Sequence, residues 1–259
     1  MDFPFARFFM DKVLKSVAYF NTFYIALRPG MQISITTFLF LGIIILAMIL
    51  AVKTGKLTVR ASLTGGLVAL LLLLGAGPGG VVLLGAFFIL GVLATRYKKE
   101  EKNAGSEERT PEQVLANGGV AGFMAALAWL NPGKADHYIL MMAASLAAAT
   151  ADTLSSELGM IYGKHTFNIL TFKKEARGLD GVISWEGTLI GLLGAGVIAL
   201  LYGLLYGFGF NCLIIVLAGF IGNIVDSLLG ATLERKQWIG NNMVNLGNTL
   251  AAALVAGLL

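Results

Sequence analysis

Apolar side chains fill this chain in long unbroken runs separated by short polar stretches. Neither the two-residue alternation of a strand nor the one-sided stripe of a soluble helix is present. A helix needs about 20 mostly apolar residues to cross the hydrocarbon core of a bilayer. By that measure the sequence predicts eight spans, at residues 34–52, 61–77, 79–95, 113–130, 138–159, 187–207, 210–233 and 241–258. The second and third meet at Gly75-Ala-Gly-Pro-Gly-Gly80, which reads as a tight hairpin turn. Before them, Phe9, Val13, Val17, Phe20, Tyr24 and Leu27 recur every three or four residues among scattered charges. That spacing predicts an amphipathic helix lying in the interface, closed by Pro29-Gly30. The fold class expected is therefore all-α: a polytopic transmembrane helical bundle of about eight spans. It divides into an amphipathic segment, 1–30, and a transmembrane catalytic domain, 31–259.

Composition agrees. Of 259 residues 57% are hydrophobic and only 13% charged, with a mean hydropathy of +0.79, against about 25% charged in an ordinary soluble domain. The single cysteine, Cys212, excludes a disulfide scaffold. The net charge of +4 is accounted for by loops rather than by a nucleic-acid surface, so no nucleic-acid partner is expected. Fourteen Lys and Arg fall in four loops on one side, 53–60, 96–112, 160–186 and 234–240. The positive-inside rule makes that side cytoplasmic and the protein a multi-pass cell-membrane protein.

Ionisable groups inside membrane helices are costly and point to a site. Asp152 and Glu157 lie in Ala151-Asp-Thr-Leu-Ser-Ser-Glu-Leu-Gly159, with Ser155 and Ser156 between them. Asn223 and Asp226 lie in Gly222-Asn-Ile-Val-Asp-Ser-Leu-Leu-Gly230. Both aspartates stand roughly 10 Å inside helix ends on the expected cytoplasmic side. Gln113 and Asn117 open another helix there, and Asn241, Asn242, Asn245 and Asn248 a third. The convergence predicts a polar cavity open to the cytoplasm. The asparagines also suit plain interhelical hydrogen bonding, whereas the carboxylates have no such simple use. Two carboxylates with amide oxygens suit Mg²⁺, a hard ion that also takes phosphate oxygens. Arg109, Lys173, Lys174 and Arg177 stand in loops able to fold over an anion. This chemistry fits phosphoryl or nucleotidyl transfer to a lipid, with Asp152, Asp226 and Glu157 as the catalytic candidates and the two aspartates as metal ligands. No Walker A pattern or dinucleotide fingerprint occurs. A secondary transporter or cation carrier is the rival, since Asp152-Thr-Leu and Asp226-Ser-Leu echo one another as repeats do.

Val114-Leu-Ala-Asn-Gly-Gly119, Ala149-Thr-Ala-Asp-Thr-Leu-Ser-Ser-Glu-Leu-Gly159, Gly222-Asn-Ile-Val-Asp-Ser-Leu-Leu-Gly-Ala-Thr-Leu-Glu234 and Asn241-Asn-Met-Val-Asn245 resemble, in order, the signatures of one family. It is the transmembrane-protein-19-like integral membrane family, a domain of unknown function whose plant members are phytyl-phosphate kinases. The resemblance runs from about residue 31 to the C-terminus. It implies an integral-membrane prenyl-phosphate kinase that takes a nucleoside triphosphate and a prenyl-phosphate lipid in the bilayer, with self-association left open. The Asp152 to Gly159 core is similar, more loosely, to CTP-dependent dolichol and phytol kinases, which implies CTP as the donor.

Overall fold

The computed structural model describes residues 35–98 and 108–259; the segment 1–30 expected to lie in the interface falls outside them. Among the described residues seven α-helices run in the order α1 (Ile35–Lys53), α2 (Val59–Arg96), α3 (Pro111–Leu130), α4 (Ala135–Tyr162), α5 (Trp185–Tyr206), α6 (Phe210–Leu229) and α7 (Asn241–Leu258). Two short strands between α4 and α5, β1 (Thr166–Asn168) and β2 (Val182–Ser184), pair antiparallel. The all-α expectation holds apart from this ribbon.

Six of the described helices are long and apolar enough to cross a membrane: all but α7. The span expected at 241–258 is present as a helix, but it does not rank with the six. Four asparagines within its first eight residues lower its hydropathy.

The 38-residue α2 contains both runs expected at 61–77 and 79–95, and it folds back between them. Arg109 shows this. Its backbone bonds Lys56 O at 3.1 Å and takes a bond from Thr58 N at 3.2 Å, while its guanidinium lies against Gly91. In a straight helix Thr58 and Gly91 would stand about 50 Å apart. The reversal is at Gly77 (φ 68, ψ −164) followed by Pro78, a left-handed conformation open to glycine and a residue with no N–H to give. At that far end the Tyr206 hydroxyl donates to Ala76 O at 2.8 Å.

The core is built around α4, in which every residue from Ile139 to Ala151 is buried. Its alanines and serine let neighbours approach closely. Gly219 and Gly222 of α6 face Ala147 and Ala148, and Gly187 and Gly191 of α5 face the backbone at Ser155 and Ala151. Without a driving force between apolar helices in lipid, such close packing is what holds a bundle together. α1, by contrast, buries only Ile44 and Ala51 and leaves most of its apolar side chains outward.

Gly75 lies so close to the Ala125 carbonyl that an added Cβ would overlap it, whereas Gly85 has open space. Gly75→Val is expected to cost about 1–3 kcal/mol or more. Gly85→Ala is expected to be neutral or stabilising by up to about 1 kcal/mol. Thermal unfolding of the detergent-solubilised protein checks both, and equal melting points would contradict the hairpin contact.

Candidate active site

The site grows out of the two helix ends that carry the aspartates. α4 brings Asp152, Ser155, Ser156 and Glu157 to one end of the bundle, and α6 brings Asn223 and Asp226 beside them. α6 then continues into a π turn, Gly230–Glu234. Such turns often mark functional sites, and this one adds Glu234 to the same space. α3 starts at this end through a capping box, Thr110 with Gln113, behind Pro111; Gln113 and Asn117 line the space. Asn241 and Asn245 complete it from α7. The result is a cavity of about 740 Å³.

A long loop roofs it. Residues 163–184 form the β1–β2 ribbon, with Asn168 Oδ1 accepting from Leu170 N (2.9 Å) and Thr171 N (3.1 Å). Phe167 stacks on Phe172 (6.1 Å between ring centres) and meets Trp185 (5.7 Å). Arg177 Nη1 donates to Met160 O at 2.8 Å and faces the cavity. The loop is pinned to the π turn: Arg235 Nε donates to Asp180 O (2.6 Å), Arg235 pairs with Glu175 (2.5 Å), and Gly181 (φ 70) is pressed against Ala231.

Within the cavity, Ser155 Oγ donates to Asn223 Oδ1 at 3.0 Å, tying α4 to α6. Thr95 Oγ1 donates to Glu157 Oε1 at 2.7 Å, and Glu157 faces Arg109. Burial lowers the Arg109 guanidinium from its ordinary pKa, while the Glu157 charge opposes that effect. Glu157 is thus held between a hydroxyl and a cation. The Asp152 and Asp226 carboxyl groups meet, with Glu234 near both. Asp226 Oδ1 is buried and meets no donor in good hydrogen-bond geometry, with the Asp152 carboxyl and the Asn248 side chain beside the group. An orphaned carboxylate oxygen is costly, and a cation is the natural partner for it.

Most of the residues singled out from the sequence line this cavity: Asp152, Asp226, Glu157, Arg109, Asn117, Ser155, Ser156, Arg177, Asn223, Asn241 and Asn245. Three do not. Lys173 and Lys174 follow Phe172 (φ 55) at the exposed bend of the loop and are outside the lining, so the roof contributes Arg177 and not the lysines. Asn242 stands about 100° round α7 from Asn241 and off the face that Asn241 and Asn245 share. Residues not singled out include Thr95, Asp180 and Glu234. Glu234 ends a motif noted above, but nothing in its spacing announced the π turn.

Among the described residues, no three His, Cys, Asp or Glu gather closely enough to hold a metal unaided. Mg²⁺ does not need that: one or two carboxylates, waters and substrate phosphates suffice. The paired aspartates and the unpartnered Asp226 oxygen fit such an ion. The lining also holds Glu157, Asp180 and Glu234 besides the two aspartates, with Arg109 and Arg177 as its basic residues.

The family model for integral membrane protein DUF92 matches residues 42–253. The chain belongs to the DUF92 family of integral membrane proteins. An uncharacterized membrane protein of Methanocaldococcus jannaschii is 36% identical over 85% of this chain and 94% of its own length. The chloroplast protein VTE6 of Arabidopsis thaliana is 34% identical over 70% of this chain and 58% of its own. A phytol kinase of Synechocystis is 32% identical over 41% of this chain and 40% of its own. No solved structure matches. The DUF92 match runs from within α1 to within α7 and so includes every element that builds the cavity.

Arg235 holds Glu175 below the usual carboxylate pKa by its hydrogen bond and charge. A depressed carboxylate pKa gives a contribution present above the ordinary carboxylate range and lost as pH falls through the folded value. Hydrogen exchange of the 166–182 amides, corrected for intrinsic rates, is therefore expected to lose protection a few-fold as pH drops below about 4.5, because an exposed pair is worth little. Arg235→Ala should show the faster exchange already at neutral pH. Unchanged exchange in that variant would contradict the pinning.

Proposed function

We propose that this DUF92 protein is a Mg²⁺-dependent integral-membrane prenyl-phosphate kinase. It transfers the γ-phosphoryl group of a nucleoside triphosphate, with CTP as the favoured donor, to a polyprenyl or phytyl-type monophosphate. The observation that carries the reading is the pairing of Asp152 with Asp226, one carboxylate oxygen unpartnered, inside a polar cavity at one end of an apolar bundle. The similarity to a phytol kinase supports phosphate chemistry on an isoprenoid lipid.

In this reaction an oxygen of the lipid phosphate attacks the γ-phosphorus. The bond to the β,γ-bridging oxygen breaks, and the nucleoside diphosphate leaves with that electron pair. A phosphate monoester is already largely ionised at neutral pH, with its second pKa near 6. No proton then has to be removed from the nucleophile, and the protein needs no general base. What remains is positioning and charge neutralisation, the usual content of phosphoryl-transfer catalysis. Bound Mg²⁺ would supply the neutralisation between carboxylates and phosphates. Asp152 and Asp226 would hold it, Arg109 and Arg177 would take phosphate oxygens in bidentate fashion, and the Ser155–Asn223 bond keeps the two aspartate-bearing helices in register. The same residues would serve nucleotidyl transfer, but the phytol kinase relative favours phosphoryl transfer. An alternating-access carrier is disfavoured by the far half of the bundle, where Leu72, Leu146, Ile198 and Ile215 are wholly buried in one apolar cluster.

The test is purified protein with radiolabelled CTP or ATP, Mg²⁺ and a panel of prenyl monophosphates, separated by thin-layer chromatography. Prenyl diphosphate is expected, with CTP preferred. Asp152→Asn and Asp226→Asn are each expected to lower turnover to about a hundredth or less without loss of folding. Near-full turnover in either variant would remove that residue from the metal site, and the absence of product with every donor and acceptor would overturn the reading.

A further inference from the structure

The cavity changes chemistry on one flank. The roof itself supplies apolar residues, Phe167, Ile169, Leu179 and Ile183 among them; below it the helices line the cavity mostly with polar or charged side chains, but between α5 and α6 they add Phe220 and Ile224, with Thr188 and Ser227 beside them. The direction of that flank follows from the helix contacts. The Gly219 and Gly222 side of α6 is pressed on Ala147 and Ala148 of α4, and Gly219 also meets Ala195 of α5. Phe220 stands about 100° round from Gly219, and Ile224 a little further, on the α5 side and away from α7. Beyond them on the same helix, Leu217 and Ile221 are 42% and 38% exposed and face outward. The α5 residue Thr188 is likewise about 100° round from Gly187, which meets α4. The flank therefore leads from the aspartates outward between α5 and α6, toward the surface that the bilayer covers.

Depth points the same way. Phe220 lies about 9 Å further along α6 than Asp226, away from the loop end. A nucleotide or a free phosphate has no use for an apolar slot below its charged groups. A lipid held by its phosphate at the aspartates must pass its tail somewhere, and the α4 and α7 walls are closed. α4 is buried without a break from Ile139 to Ala151, and on the α7 side Gly222 is packed against Asn248, itself wholly buried.

We infer that the isoprenoid chain of the acceptor leaves the polar cavity between α5 and α6, with Phe220 and Ile224 contacting the part of the chain next to its phosphate. This rests on the prenyl-phosphate kinase reading and assigns the acceptor side of that site. The donor nucleotide then occupies the part under the 163–184 roof. Phe220 and Ile224 become the residues that select acceptor chain shape.

The experiment compares a twenty-carbon prenyl monophosphate with its five-carbon counterpart as acceptors, in wild type, Phe220→Trp, Ile224→Trp and the outward-facing control Ile221→Trp. Narrowing the slot is expected to lower kcat/KM for the long acceptor relative to the short one by about tenfold or more, while Ile221→Trp leaves the ratio unchanged. In parallel, a prenyl monophosphate with a diazirine in its first isoprene units is photolysed on the wild-type protein, and labelling is expected on peptides carrying Thr188, Phe220 or Ile224. Equal losses on both acceptors, an unchanged ratio in both slot variants, or labelling confined to other helices would overturn the assignment. A wild-type protein that phosphorylates neither acceptor sinks the kinase reading instead. The photolabel, which needs no turnover, then decides the slot by itself.

Discussion

Two carboxylates brought together within a low-dielectric bundle repel each other, and the repulsion is far stronger there than in water. The geometry that joins Asp152 to Asp226 is held by contacts with no charge in them: Gly219 and Gly222 of α6 pressed on the alanines of α4, and Ser155 bonded to Asn223. Packing energy spread over two helices is thus set against a local electrostatic cost. Proteins keep such an arrangement where a cation or a substrate relieves it. The unpartnered Asp226 oxygen is where that relief is missing in the protein alone.

The same economy of small residues sets the shape of the site. α4 can be the hub because six of the nine residues from Ala143 to Ala151 are alanine, so α5, α6 and α7 come close enough to bring their polar residues to a common depth. The charged cavity forms only at the end where α4 passes from alanine to Asp152, Thr153, Ser155, Ser156 and Glu157. The far end, with Gly75 on Ala125 and Tyr206 on Ala76, is packed shut. This asymmetry suits chemistry at one face of the membrane, on a lipid whose charged head sits there.

Much of this was legible in the sequence because a carboxylate in an apolar run has few explanations. Asp152, Asp226, Asn223 and the serines stood out for that reason, and Gly75 to Gly80 announced a reversal by composition alone. What stayed hidden depends on how irregular backbone folds in space. The loop 163–184 carries Lys173, Lys174 and Arg177 within five residues, yet only the arginine faces the cavity, because the chain bends at Phe172. Asp180, Phe167 and Phe172, the last two grouped with Trp185 at the start of α5, reach the site through the same ribbon, whose strands of three residues are too short to show a period. Asn242 illustrates the converse: a polar stripe locates a helix face only to within one residue, and the neighbouring Asn241 and Asn245 are the ones that line the cavity.

The central claim is that Asp152 and Asp226 together form a divalent-metal site completed by phosphate. Mn²⁺ as a paramagnetic substitute tests it most directly, by electron paramagnetic resonance on the purified protein with and without a non-hydrolysable nucleoside triphosphate. The account predicts tight Mn²⁺ binding in the presence of the nucleotide, with hyperfine coupling to its phosphorus, weakened about tenfold or more by Asp152→Asn or Asp226→Asn. Equal Mn²⁺ binding in wild type and in the doubly substituted protein would contradict it.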